Sequence, residues 1–228
     1  MHKLYRYACL VSLSFAPALG ATDLATRLAH LARDADPKVI ALALTARGCA
    51  VAAGRAQVDD RLAVIDYSRP STDPRLWVFD LQKPTLLYVE HVAHGRGSGA
   101  NFAKQFSNVE GSFQSSLGLF RTGETYQGGN GYSLRMDGLE PGINDHARVR
   151  DIVIHGAPYV DAAMAKAQGR LGRSFGCPAV RRDIAKPLID KLKDGQLLFA
   201  YYPDNGWLSK SAFLNCPGAA KLRLPHLD

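Results

Sequence analysis

The chain has 228 residues, enough for one domain with short attachments, and its 46% hydrophobic and 21% charged residues exclude a disordered or fibrous protein. The formal charge of +7 admits nucleic acid, anionic lipid or an acidic polymer as partner. The cations are scattered rather than run in blocks, which argues against nucleic acid and favours a negatively charged envelope polymer.

Residues 1–20 have the layout of a secretory signal. Lys3 and Arg6 precede an apolar stretch over residues 7–15, and Ala18 and Gly20 supply small side chains before a cut after Gly20. The alternatives are a short buried helix or a membrane anchor, but the apolar stretch falls short of the roughly 20 residues that span a bilayer. Cys9 lacks the small residues that follow a lipoprotein cysteine, and no later segment is apolar enough to cross a membrane. Export also argues against nucleic acid. Cleavage removes Lys3 and Arg6, taking the charge from +7 to +5, and leaves Cys49, Cys177 and Cys216. An odd number of cysteines in an oxidising compartment calls for an explanation. The simplest pairs Cys49 with Cys216 and frees Cys177; the alternative is three unpaired, buried, small apolar residues.

Residues 23–35 carry Leu24, Leu28 and Leu31 at helical spacing, with Thr22 or Asp23 as the cap. Pro37 opens a second helix ending near Gly48. From Arg61 the texture changes to short β-branched and aromatic runs bounded by Pro and Gly: strands over 62–67, 76–81 and 85–93. A Gly- and Ser-rich loop over 94–118 follows, long enough to be functional. Further strands are expected at 117–122, 132–139 and 149–154. A second Gly-rich stretch over 155–177 leads into a helix over 182–193, stopped by Asp194-Gly195, and residues 197–202 form a last strand. The tail after Pro203 is polar and turn-rich. The expected fold is mainly β, a sandwich or partly closed barrel with short helices. The expected organisation is a signal at 1–20, a helical segment at 21–60, the β domain at 61–203 and a tail at 204–228.

The strongest chemical signal is Gly172-Arg173-Ser174-Phe175-Gly176-Cys177-Pro178. A cysteine behind a glycine, in a loop before a helix, is placed for reactivity, with Arg173 and the helix start favouring thiolate and nearby amides available to an oxyanion. The bland alternative is a buried structural cysteine. His155, ending the apolar run Ile152-Val153-Ile154, is the candidate base; the alternative is a hydrogen-bonded core histidine. His94 has a similar setting and either lines the cleft, helping to bind substrate, or is a structural loop residue. His91 and His146 are weaker candidates. A zinc site on His94, His155 and Cys177 lacks the short paired spacing of common zinc motifs, so neither a metal nor another cofactor is expected. There is no phosphate loop, dinucleotide fingerprint or Gly-x-Ser-x-Gly elbow.

These residues resemble the L,D-transpeptidase catalytic domain, whose motif is His-Gly followed some twenty residues later by Ser-x-Gly-Cys; here His155-Gly156 and Ser174-Phe175-Gly176-Cys177. With His94-Gly95-Arg96-Gly97-Ser98-Gly99, Phe106-Ser107-Asn108 and Ser115-Ser116-Leu117-Gly118, the pattern resembles the divergent murein branch found in Gram-negative bacteria, over residues 62–202. The resemblance implies a periplasmic enzyme acting on peptidoglycan stem peptides without a cofactor. It implies Cys177 as nucleophile, His155 as base, Gly176 and Cys177 amides as oxyanion donors and Ser174 near the cleft, with acylation of the thiol by carbapenems. The commoner branch has Ile-Arg or Val-Arg after the cysteine; here Pro178-Ala179 follows, which leaves Arg173 as the replacement anion binder, with His94 and Gly156 beside the substrate. Rival readings within the fold are an L,D-carboxypeptidase or an enzyme attaching protein or D-amino acid to murein; outside it, a non-catalytic murein-binding module. Oligomeric state is left open.

Overall fold

A computed structural model describes residues 21–56 and 61–219; the expected signal segment therefore lies outside the described residues. Two helices come first, α1 (Ala21–Leu31) and α2 (Pro37–Ala52). Asp36 caps α2 by accepting from the Lys38 amide at 2.8 Å, and Pro37 takes the first helical turn, where its missing N–H costs nothing. The α2 helix is buried over much of its circumference, from Val39 to Ala50, and the core it enters is shared with the sheet. Cys49, near its end, is disulfide-bonded to Cys216, 167 residues away. Closing so long a loop removes about 5 kcal/mol of unfolded-chain entropy in the simplest account. Cys177 is free.

Among the described residues eight strands follow: β1 (Arg61–Asp66), β2 (Leu76–Asp80), β3 (Thr85–Glu90), β4 (Gly118–Gly128), β5 (Gly131–Gly138), β6 (Val153–Gly156), β7 (Ala179–Val180) and β8 (Leu197–Tyr201). They make one sheet in the order β3-β2-β1-β8-β4-β5-β6-β7, with β1–β8 and β6–β7 parallel and the rest antiparallel. Just beyond β3, Ala93 bridges to Ala179 of β7, its amide donating to the Ala179 carbonyl at 2.8 Å. The two ends of the sheet thus meet. Of the two forms expected, the nearly closed barrel is the one the chain adopts. Leu62 to Ile65 of β1 and Leu197 to Ala200 of β8 are buried on both faces, as central strands under packed helices are.

Three short helices complete the fold: α3 (Ala162–Gln168), α4 (Arg182–Leu192) and α5 (Asn205–Lys210). Two were not expected. The α3 helix sits inside the Gly-rich stretch, capped by Asp161, whose carboxylate accepts from Met164 N at 2.7 Å, and ended by Gly169 at φ 74°. The α5 helix lies in the tail, where Asp204 accepts from Trp207 N at 2.8 Å; Trp207 is buried and donates to Glu140 at 3.1 Å, so the tail is part of the core. The strand expected over 149–154 begins later. Residues 140–151 form successive turns with Val149 exposed, and Asp151 at φ 51° turns the chain into β6. A strand cannot run through that left-handed residue.

Candidate active site

His155 lies on β6, and Cys177 on the turn that leads into β7, the parallel neighbour of β6 at the closing edge of the barrel. His155 of β6 is in register with Ala179 of β7. Cys177 precedes Ala179 by two residues, outside the paired stretch of β7, and its Sγ meets the backbone of residues 151 and 153, just ahead of His155 on the neighbouring segment. Ser133 of β5 flanks His155 from the other side, and the imidazole is 3% exposed.

The His155 Nδ1 lies 3.1 Å from the Gly156 carbonyl. A carbonyl only accepts, so Nδ1 carries the proton and Nε2 keeps its lone pair. Burial holds the imidazole below its usual pKa, the Gly156 hydrogen bond opposing in part. A neutral imidazole with a free basic nitrogen results. Cys177 is partly exposed. Its Sγ donates to the Asp151 carbonyl at 3.4 Å and accepts from the Val153 amide at 3.5 Å. Burial pushes the thiol up, with Asp151 adding to the rise; the Val153 amide, the Arg150 guanidinium and the cysteine's own amide pull it back. The expected thiolate-favouring setting is therefore corrected: both partners are held neutral.

Ser174 is buried and braces the turn that carries the thiol. Its Oγ donates to the Cys177 carbonyl at 2.6 Å and accepts from the Gly176 amide at 3.1 Å. The Gly176 amide, expected as an oxyanion donor, is thus engaged by Ser174 in this structure. Gly176 itself is required by space. It has φ 134°, and a Cβ there would meet Ile152 Cδ1 at 2.8 Å and the Gln114 carbonyl at 3.0 Å. On its other side, a Cβ on Gly95 would lie 2.8 Å from Gly176 Cα. The two glycines let two backbones touch. Ser115 locks the contact, its Oγ accepting from Gly95 N and donating to the Gly176 carbonyl, each at 3.0 Å.

His94 is fully buried. Its Nδ1 lies 2.7 Å from Arg75 Nη2, and its Nε2 lies 3.4 Å from the Gly99 carbonyl. An arginine only donates, so Nδ1 accepts and Nε2 bears the hydrogen. Burial, with the Arg75 charge, pushes the pKa down to about 3. Both nitrogens being committed, His94 does not face substrate, which corrects that expectation, and the zinc set of His94, His155 and Cys177 is not formed. Arg173 donates from Nη1 to the Gly99 carbonyl at 2.9 Å, one of its five N–H groups. The charge that acts on the thiol belongs to Arg150, which follows four neutral acceptors on residues 107–116: the Ser107 and Gln114 carbonyls and the Ser112 and Ser116 hydroxyls. No motif singles Arg150 out; only the fold brings it under Gly176. Gly156 is tight for a different reason than a turn. A Cβ there would sit 2.8 Å from Ala185 Cβ, so its absence lets α4 pack on β6. Gly156 also borders a cavity of about 430 Å³ with Tyr132, Tyr159, Arg182 and Lys186.

Among the described residues no cluster of three His, Cys, Asp or Glu side chains gathers for a metal, and no helix is long and apolar enough to cross a membrane.

Among the described residues Cys177 is the one free cysteine, on a nearly closed, mainly β barrel whose strand β6 carries a buried, neutral histidine. A family model described as L,D-transpeptidase catalytic domain matches residues 31–201, and the chain belongs to that family. No curated protein matches. Solved structures similar to this chain include an L,D-transpeptidase from Mycobacterium smegmatis, 15% identical over 63% of this chain and 59% of that one, with a TM-score of 0.38. L,D-transpeptidase 1 of Mycobacterium tuberculosis is 13% identical over 63% of this chain and 62% of that one, TM-score 0.36. An L,D-transpeptidase (Yku) from Stackebrandtia nassauensis is 13% identical over 82% of this chain and 92% of that one, TM-score 0.36. The chain thus spans less than two thirds of the length of the two mycobacterial proteins.

Proposed function

We propose that this chain is an exported, periplasmic peptidoglycan L,D-transpeptidase working through a Cys177 thioester. What supports the reading is that the family model covers residues 31–201, that Cys177 is the free cysteine among the described residues, on the turn into β7, and that the neighbouring strand β6 carries a buried, neutral His155 whose Nδ1 is turned to the Gly156 carbonyl.

The chemistry follows from that pair. Sγ leaves the Asp151 carbonyl, and its proton passes to His155 Nε2 as the sulfur attacks the carbonyl at the L-centre of diaminopimelate in a tetrapeptide stem. The carbonyl oxygen takes the electron pair and is met by the Cys177 amide. Collapse breaks the bond to the terminal D-Ala, which leaves as an amine with the proton from His155. The acyl group remains on sulfur as a thioester. An amine of a neighbouring stem then attacks, gives its proton to His155, and expels the thiolate, forming the crosslink. Arg150 supports both anionic stages of the sulfur from close range without being consumed by a carboxylate partner. Water as acceptor makes the same enzyme an L,D-carboxypeptidase.

Incubating purified protein with tetrapeptide muropeptides tests this. New dimers are expected for wild type and none for Cys177→Ala; shortened tripeptides alone assign the trimming reaction. Wild type that does neither, yet binds sacculi as tightly as Cys177→Ala, is a binding module.

A further inference from the structure

Beside the Cys177 turn stand two phenylalanines that do not behave as core residues. Phe175 is 66% exposed and Phe113 38% exposed. Their ring centroids are 5.2 Å apart and tilted by 52°. The Arg96 guanidinium lies 4.1 Å from the Phe113 ring and 4.5 Å from the Phe175 ring. The guanidinium thus lies against both rings, which are themselves in tilted contact. Arg96 is exposed, and among the described residues no carboxylate or other acceptor engages its side chain. Its backbone is fixed: the Arg96 amide donates to the Ser174 carbonyl at 2.8 Å, and the Gly97 amide to the Phe113 carbonyl at 2.9 Å. Phe113 holds φ 55°, a conformation that bulky residues rarely take and that persists where the surroundings impose it.

We propose that Arg96, cradled by Phe113 and Phe175, is the group that binds a free carboxylate of the peptide substrate at the lip of the Cys177 site. This rests on the peptide acyl-transfer reading and deepens it. An arginine on aromatic faces keeps its planar fork pointed outward, and a carboxylate matches that fork with two parallel hydrogen bonds. Ordering an arginine side chain is a large part of the cost of such recognition; here the rings have ordered it beforehand. Arg173, the sequence candidate for this role, is turned to Gly99, whereas Arg96 adjoins Gly95, whose backbone touches Gly176.

The test compares a tetrapeptide stem with free carboxylates against the same peptide amidated, in turnover by wild type and Arg96→Gln and in binding to Cys177→Ala with and without Arg96→Gln. Wild type is expected to prefer the carboxylate form by about 10- to 100-fold in kcat/KM, as a charge-assisted pair gives. Arg96→Gln should bring that ratio close to one, chiefly through KM, and Arg96→Lys should restore it only in part. Undiminished discrimination in Arg96→Gln overturns the assignment. Iodoacetamide, a neutral probe, separates recognition from chemistry: a variant that also loses Cys177 alkylation has lost the site itself, and the clamp is overturned. If wild type turns over neither peptide while Cys177→Ala still prefers the carboxylate and the double variant does not, the clamp stands and acyl transfer falls.

Discussion

Two His-Gly pairs end β-rich runs in this chain, His94-Gly95 and His155-Gly156, and each imidazole is buried and depressed in pKa. They differ in what their second nitrogen meets. His94 accepts from Arg75 on one side and donates to Gly99 on the other, which makes it a strut. His155 donates to Gly156 through Nδ1, which leaves Nε2 as an acceptor and makes it a candidate base. Burial alone does not tell a catalytic histidine from a structural one; the inventory of partners does.

Breaking His155 should have the largest effect. His155→Ala is expected to slow acylation of Cys177 about 10²- to 10⁴-fold near pH 7, read as adduct formation against time, while His94→Ala should act mainly on stability. The strut itself breaks most sharply at Arg75. This guanidinium is fully buried, donates to the Val92 and Arg69 carbonyls and to His94, and stacks over Tyr67. Arg75→Met leaves those acceptors without a donor and should lower unfolding stability by about 2–4 kcal/mol in urea titration.

A pH titration sharpens the contrast further. With His94 near 3 in the folded protein and near its ordinary value when unfolded, the unfolded chain binds the extra proton between those limits. Stability must therefore fall as pH drops from about 6.5 toward 3, by at most about 1.4 kcal/mol per pH unit. His94→Gln should flatten that slope. The smallest change is expected from Arg150→Met, which removes the cation beside the sulfur. Its alkylation profile should move to higher pH, with a roughly tenfold slower rate at neutral pH; an unmoved profile would assign Arg150 to loop anchoring only.

Much of the scaffold was legible because it rests on local pattern. The β-branched and aromatic content of 62–67 and 76–81, the Pro37 start signal, and the Asp194-Gly195 stop after α4 correspond to observed elements. Of the motif, the structure gives Cys177 as a free thiol and His155 as a buried residue of β6. What was hidden depends on contacts far apart in the chain. Arg150 reaches Ser107 across 43 residues, and Arg75 reaches His94 across 19. Residues 149–151 read as strand because Val149 is apolar, but it faces solvent in a turn that Asp151 closes. The α5 helix hides behind Asn205-Gly206, a turn dipeptide, and forms because Asp204 caps it and Trp207 finds Glu140 in the core.

Intact-mass measurement after incubation with a carbapenem tests the central pair most directly. Wild type should gain the drug's mass on Cys177, Cys177→Ala should gain none, and His155→Ala should gain it orders of magnitude more slowly. An adduct on Cys177→Ala, or a wild-type rate in His155→Ala near neutral pH, would contradict the assignment of nucleophile or base.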